Sequence, residues 1–284
     1  MKKFLPWIIV GAFTAWILVS LRPPQDQPGQ MNLQEFGALP VISSGRFQPI
    51  DTLARNTLLQ LRDKSSANLE PWSSHPQIIS ATAWLLATAI TPDVADNYPV
   101  FRVDHPELIS LLKLPEKNLE QHSDGKSYSW NQIKPELEIL RREADRSSGI
   151  ESAHRTTYDQ AVVRLWNAHQ LYEQVQGMFG PAASGELTQS VNHYLDQVDL
   201  GRSAYQQMQA NKPYDAAALE WLSAQFGAPV ILPGRTEDDW KRVAEYYVNS
   251  DASVVPNFAL TAYARIAAAY RTGNVADFNQ AVAE

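Results

Sequence analysis

An uninterrupted uncharged run, Phe4 to Leu21 (FLPWIIVGAFTAWILVSL), opens the chain directly behind Met1-Lys2-Lys3, and no polar face breaks it. Eighteen residues at about 1.5 Å each reach roughly 27 Å, which predicts a helix spanning the hydrocarbon of a bilayer. Lys2, Lys3 and the terminal amine precede the run, whereas Arg22, Pro23, Pro24 and Asp26 follow it, so the charge bias predicts a cytoplasmic N-terminus and a body outside. A cleaved secretory signal needs a small-x-small exit, and Leu18-Val19-Ser20-Leu21-Arg22-Pro23 offers a poor one. An uncleaved signal anchor over 1–21, in the cytoplasmic (inner) membrane, is therefore expected.

The pattern changes abruptly behind it. Residues 22–37, RPPQDQPGQMNLQEFG, hold three prolines, two glycines and four glutamines, the composition of an extended linker. Leu39 to Ile42 and Arg46 to Pro49 flank Ser43-Ser44-Gly45 and predict a small hairpin. Asp51 and Thr52 read as N-cap residues of a helix whose stripe is Leu53, Leu58, Leu59 and Leu61. Gln77 to Ile90 is apolar almost all round but too short for a span, which predicts one buried core helix. Tyr98 to Val103 reads as extended, His105-Pro106-Glu107 as a helix start, Ile133 to Arg146 as a helix, and Tyr158 to Met178 as another.

Further helical runs are expected near 184–210, 214–227, 236–249, 254–272 and 275–284. They show no fixed repeat period, so a tetratricopeptide array is disfavoured. The expected fold class is mainly α: an N-terminal transmembrane helix, then a helical extracytoplasmic domain over 38–284 with a small β-hairpin element. The chain stops at Ala281-Val282-Ala283-Glu284 without Gly, Pro or cap, which leads to the expectation that it continues into a membrane core.

Composition narrows the chemistry. The net charge is −7 and no Lys/Arg cluster exceeds two residues, so the electrostatic footprint of a nucleic-acid binder is missing. Zero cysteines exclude disulfides, thiolate metal sites, a cysteine nucleophile and covalent haem attachment through CxxCH. The six histidines contain no pair at i,i+3 or i,i+4, so no metal site is expected, and His169 on an apolar helix face reads as a core or interface residue rather than a ligand. GxSxG, GxxxxGK[ST] and GxGxxG are absent. The one SxxK match, Ser123 to Lys126, lies in a polar stretch without SDN or KTG partners and reads as a turn. Glu237-Asp238-Asp239 reads as helix capping, and the scattered tryptophans as core and interface anchors. No catalytic constellation is expected, and a hydrolase reading falls with it.

The most informative segment is Leu39-Pro40-Val41-Ile42-Ser43-Ser44-Gly45-Arg46-Phe47-Gln48-Pro49-Ile50-Asp51-Thr52-Leu53-Ala54-Arg55. Gly45 suits a positive-φ turn, Pro49 stiffens the approach to a helix, Asp51 or Thr52 caps it, and Arg46 can pair with Asp51 or reach an acidic group. Two readings stand side by side: a well-made hairpin-to-helix junction, or a partner-binding site composed of Gly45, Arg46, Pro49, Asp51 and Thr52.

This segment resembles the LPV-x-x-x-GR-x-x-P-x-DT-x-AR stretch of extracytoplasmic domains of cytochrome c biogenesis proteins of the CcsA/ResC type, in the system II pathway. Ala83-Trp84-Leu85-Leu86, Tyr98 to Val103 with Pro106-Glu107-Leu108, and Ala269 to Gly273 with Phe278 to Val282 resemble later parts of that domain more loosely. The resemblance implies a part in haem delivery and attachment, with ResB-like and CcsA-like membrane subunits and apocytochrome c as partners. The family's tryptophan-rich WWD segment and extracytoplasmic histidines have no counterpart after residue 21. Haem is therefore implied for the wider complex, with no cofactor in this chain, and any haem-lyase activity belongs on this resemblance to the assembly. The alternative is a helical adaptor subunit of another bacterial envelope complex.

Overall fold

The computed structural model describes residues 5–20, 29–43, 45–118, 120, 122–184, 210, 230–232, 241–242 and 258–284. The chain forms two units, Met1–Gln30 and Met31–Glu284. The first contains helix α1, Leu5–Ser20, in which Phe13 and Trp16 meet edge to face at 5.9 Å. Its 16 residues rise about 24 Å, short of the roughly 30 Å of bilayer hydrocarbon. Among the described residues no helix is long and apolar enough to cross a membrane.

The second unit begins inside the stretch whose composition predicts a linker. Helix α2, Leu33–Ala38, is capped by Asn32, whose Oδ1 accepts from the Glu35 N–H. Phe36 is buried, its ring 6.2 Å from Phe179 and 6.1 Å from Phe278. The Asn32 N–H donates to Asn279 Oδ1 at 2.7 Å. The folded body thus starts at Met31, because one aromatic and one long-range bond tie a glutamine-rich segment to residues far along the chain.

Strands β1, Pro40–Ser43, and β2, Arg46–Pro49, form the expected antiparallel hairpin, with Val41 opposite Gln48 and Ile42 opposite Phe47. Helix α3, Ile50–Arg62, buries Ile50, Leu53, Ala54, Thr57, Leu58 and Leu61, an i, i+3, i+4, i+7 stripe facing the core. It ends at Asp63 in the left-handed region at φ 60°. Strands β3, Ser66–Asn68, and β4, Ile78–Ser80, pair next. Helix α4, Ala81–Ile90, follows, so the single helix expected over 77–90 is divided. The β-branched Ile78 and Ile79 join a ladder instead, and Ser80 caps α4 by accepting from the Ala83 N–H at 3.1 Å. Trp84, Leu85, Leu86 and Ile90 are all buried, placing α4 in the core.

Helix α5, Pro92–Ala95, and strand β5, Phe101–Arg102, lead to α6, Pro106–Leu111, with proline in its first turn. Strand β6, Ser127–Tyr128, pairs with β5. Where the sequence predicts a turn over Ser123–Lys126, Ser123 bridges to Asn118 and a bend follows, with Gly125 at φ 73° and the Asp124 carboxylate accepting from the Lys126 and Ser127 N–H groups. Helix α7, Trp130–Ile133, carries a Ser129/Gln132 capping box. A 3-10 turn over Lys134–Glu136 separates it from α8, Leu137–Ser148. The helix expected from Ile133 to Arg146 is interrupted because Pro135 cannot donate to the preceding turn. Helix α9, Thr157–Gln176, starts on a Thr156/Asp159 capping box.

The helical runs expected at 184–210 and 214–227 lie outside the described residues, a few positions apart. Within 236–249, Lys241–Arg242 form strand β8 against β7, Ile231–Leu232, so at those two positions pairing replaces the expected helix. Val230 bridges to Val41. Helices α10, Phe258–Thr272, and α11, Val275–Ala283, close the chain and pack on each other, with Arg265 paired to Glu284. The body is mainly helical with small two-stranded hairpins.

Candidate partner-binding site

The junction between β2 and α3 separates into residues that fasten it and residues that project from it. Gly45 has φ 73°, a region open to glycine and costly for other side chains. It turns the chain so that Arg46 and Phe47 emerge on an exposed strand, Phe47 with 58% of its surface accessible. Phe47 is not among the residues the sequence singles out. Its signal is available in retrospect as the one large apolar side chain on a strand that otherwise reads polar or proline.

The helix starts two or three residues earlier than Asp51 or Thr52 as its cap would place it. Pro49 occupies the N-cap position without a side-chain bond, and the Ile50 N–H donates to Leu39 O at 3.0 Å. The hairpin itself thereby satisfies the first amide. Asp51 falls inside the first turn, where its carboxylate favours the positive end of the helix, and Thr52 beside it is half-buried. Neither caps α3.

Asp51 is spent inward. Its Oδ2 accepts from Arg55 Nε at 2.7 Å, and its Oδ1 accepts from Thr82 Oγ1 at 2.8 Å, which ties α3 to α4. Burial pushes the Asp51 carboxyl up, but the hydrogen bonds from Arg55 and Thr82 and the Arg55 charge outweigh it and hold the carboxyl below its ordinary value. The expected Arg46–Asp51 pair is not formed, because Arg55, four residues on along the same helix face, takes that carboxylate. Among the described residues Arg46 makes no ion pair, and it is exposed. Gly37 completes the fastening: a Cβ there would lie 3.2 Å from Asp51 Cβ and 3.3 Å from Thr82 Oγ1.

Of the five residues the sequence nominates, the structure exposes Gly45, Arg46 and Pro49 together and leaves Asp51 and Thr52 partly buried behind them. A carboxylate clamped by two donors has little left to offer a ligand. Among its described residues the arrangement pairs no nucleophile with a base, and what it offers is a guanidinium, an aromatic ring and a rigid turn.

His169 lies elsewhere, on α9, with 3% of its surface accessible. Its ring stacks on Trp130 at 4.8 Å and 8° and meets Trp166 at 5.0 Å. It is a core histidine, and burial lowers its pKa to about 4. Among the described residues no group of three or more His, Asp or Glu is placed to hold a metal ion. Comparison with family models, with curated proteins and with solved structures gives no match for this chain.

Proposed function

We propose that this chain is a membrane-anchored, extracytoplasmic scaffold of the cytochrome c biogenesis machinery, binding a partner through the Gly45–Phe47 tip and contributing no catalytic group. The observation that carries the reading is the division of labour in the resembling segment. Asp51 and Arg55 hold the junction together with Thr82, whereas Arg46 stands exposed without an ion pair among the described residues. Local architecture accounts for the first set and gives no use for the second. The apolar run from Phe4 to Leu21 with its two leading lysines supports an anchor with the body outside. The partners on this reading are ResB-like and CcsA-like membrane subunits and apocytochrome c, with haem held by the wider complex.

Arg46→Ala tests the contact. The expected result is an unchanged melting temperature with reduced cytochrome c maturation in cells. Loss of maturation only in proportion to loss of folded protein refutes the contact. Haem absorbance of the complex purified from membranes through this chain tests the pathway, because an adaptor of another envelope complex predicts no co-purifying haem.

A further inference from the structure

Away from the junction, a groove of about 350 Å³ lies where β5 and its exit meet the first turns of α9. Arg102 and Arg164 both line it, Val103, Pro106 and Ala161 give it apolar surface, and Thr157 carries a hydroxyl there. This volume falls at the small end of ligand sites.

The guanidinium donors are only partly used. Arg102 places Nε 2.6 Å from Asp104 Oδ2 and Nη2 3.2 Å from Oδ1. Arg164 donates from Nη2 to Asp63 Oδ1 at 2.6 Å. Among the described residues, Arg102 Nη1 and Arg164 Nε and Nη1 have no acceptor. Asp63, at φ 60°, also lies 3.7 Å from Arg102 Nε. It is the internal competitor for both cations. All four side chains are between about a third and half exposed, so none is locked away from a ligand.

Two cations facing two anions leave a nearly neutral groove, which disfavours a multiply charged anion. On each guanidinium the Nη2 bound to aspartate keeps a second N–H, which with its neighbour on the same edge (Nη1 of Arg102, Nε or Nη1 of Arg164) offers a single carboxylate two parallel N–H groups at its own spacing. We propose that the groove binds one carboxylate carried on a small apolar body, supplied either by a free organic acid or by the C-terminus of a peptide.

The test is titration calorimetry on the full chain in detergent at low salt, with benzoate, benzamide, and acetyl-Gly-Phe as free acid and as amide. Benzoate should bind saturably with a Kd on the order of 1 mM, and benzamide should not. Arg164→Gln should weaken benzoate by about tenfold, and Asp63→Asn, which removes the competing negative charge, should tighten it. Arg164→Lys retains the charge but loses the fork, so weakened binding at an unchanged melting temperature supports the planar contact. Tighter binding of the acetyl-Gly-Phe acid than of benzoate assigns the site to chain termini, and equal or weaker binding assigns it to free acids. Absence of saturable binding by both acids, equal binding of benzamide, or indifference to both Arg164→Gln and Asp63→Asn overturns the proposal.

Discussion

Thr82 Oγ1 donates to Asp51 Oδ1 at 2.8 Å across 31 positions of chain, joining the first turn of α3 to the first turn of α4. Asp51→Ala leaves that hydroxyl and the Arg55 guanidinium without their acceptor and should cost about 1 kcal/mol. The Asp51–Arg55 ion pair, half exposed on one helix face, accounts for only a few tenths of that. A denaturation double-mutant cycle with Thr82→Val measures the remainder. A coupling energy near zero refutes a structural role for the bond.

Much of this junction is legible in the sequence, and the exceptions have identifiable causes. The Gly45 turn, the hairpin and Leu53, Leu58 and Leu61 of the α3 stripe follow from local pattern alone, whereas Leu59, read into the same stripe, is exposed. Asp51 is misread as a cap because the helix already begins at Ile50, whose amide is bound to Leu39 O, a contact between segments that leaves Asp51 inside the first turn. Helix α2 is invisible for a similar reason: Phe36 packs against Phe179 and Phe278, and no window of a few residues contains that information. The break at Pro135 was readable, since proline cannot donate within a helix. Arg55 was also readable as the partner of Asp51, from the i,i+4 spacing. The groove between Arg102 and Arg164 was not, because its two cations are 62 positions apart and meet only through Asp63.

Gly45 and Gly37 flank the junction for different reasons, and substitutions should tell them apart. A Cβ at Gly45 meets nothing within 4 Å, so the cost there is conformational. Gly45→Ala should lose about 1 kcal/mol, Gly45→Asn less, and Gly45→Val more. Gly37 is helical, and alanine there would gain up to about 1 kcal/mol from propensity. Its Cβ, however, would press on Asp51 Cβ and Thr82 Oγ1. Crowding of packed atoms costs roughly 1–3 kcal/mol, so Gly37→Ala should be net destabilising in urea titrations. The same change in a Thr82→Ala background should be milder. Equal costs in both backgrounds would place the strain elsewhere.

The start of α9 should govern acid stability. Asp159 accepts from Thr156 Oγ1 at 2.6 Å and the Thr156 N–H at 3.0 Å, and from Ser147 Oγ and Arg146 Nη2. These donors, led by Thr156, hold its carboxyl down at about 2. A depressed carboxyl stabilises the fold fully above its unfolded value near pH 4, and that contribution disappears as pH falls toward about 2. Asp159→Asn should lower the melting temperature at neutral pH and flatten its fall between about pH 4 and about pH 2. Thr156→Ala, which removes the reciprocal cap, should cost about 1 kcal/mol. An unchanged acid profile in Asp159→Asn would show that other carboxylates control this window.

His169 sets a dependence of the same direction at milder pH, from a buried neutral ring rather than a clamped charge. Its ring lies flat on Trp130, Nε2 is 3.4 Å from Glu173 Oε2, and Nδ1 is buried without a hydrogen-bond partner. Glu173 is half exposed, so its screened charge offsets little of the desolvation that lowers the histidine to about 4. The neutral ring is therefore the folded form, while the unfolded chain takes up a proton below about pH 6.5. Stability from this group is complete above about pH 6.5 and drains away as pH falls toward about 4. The arithmetic gives a loss of about 2 kcal/mol between about pH 7 and about pH 5. His169→Phe keeps an aromatic ring against Trp130 and removes the titration. Urea midpoints at pH 7 and pH 5 should differ clearly in the parent chain and much less in His169→Phe. If the variant keeps the full difference, the proton uptake belongs to another group and the buried ring is only a packing element.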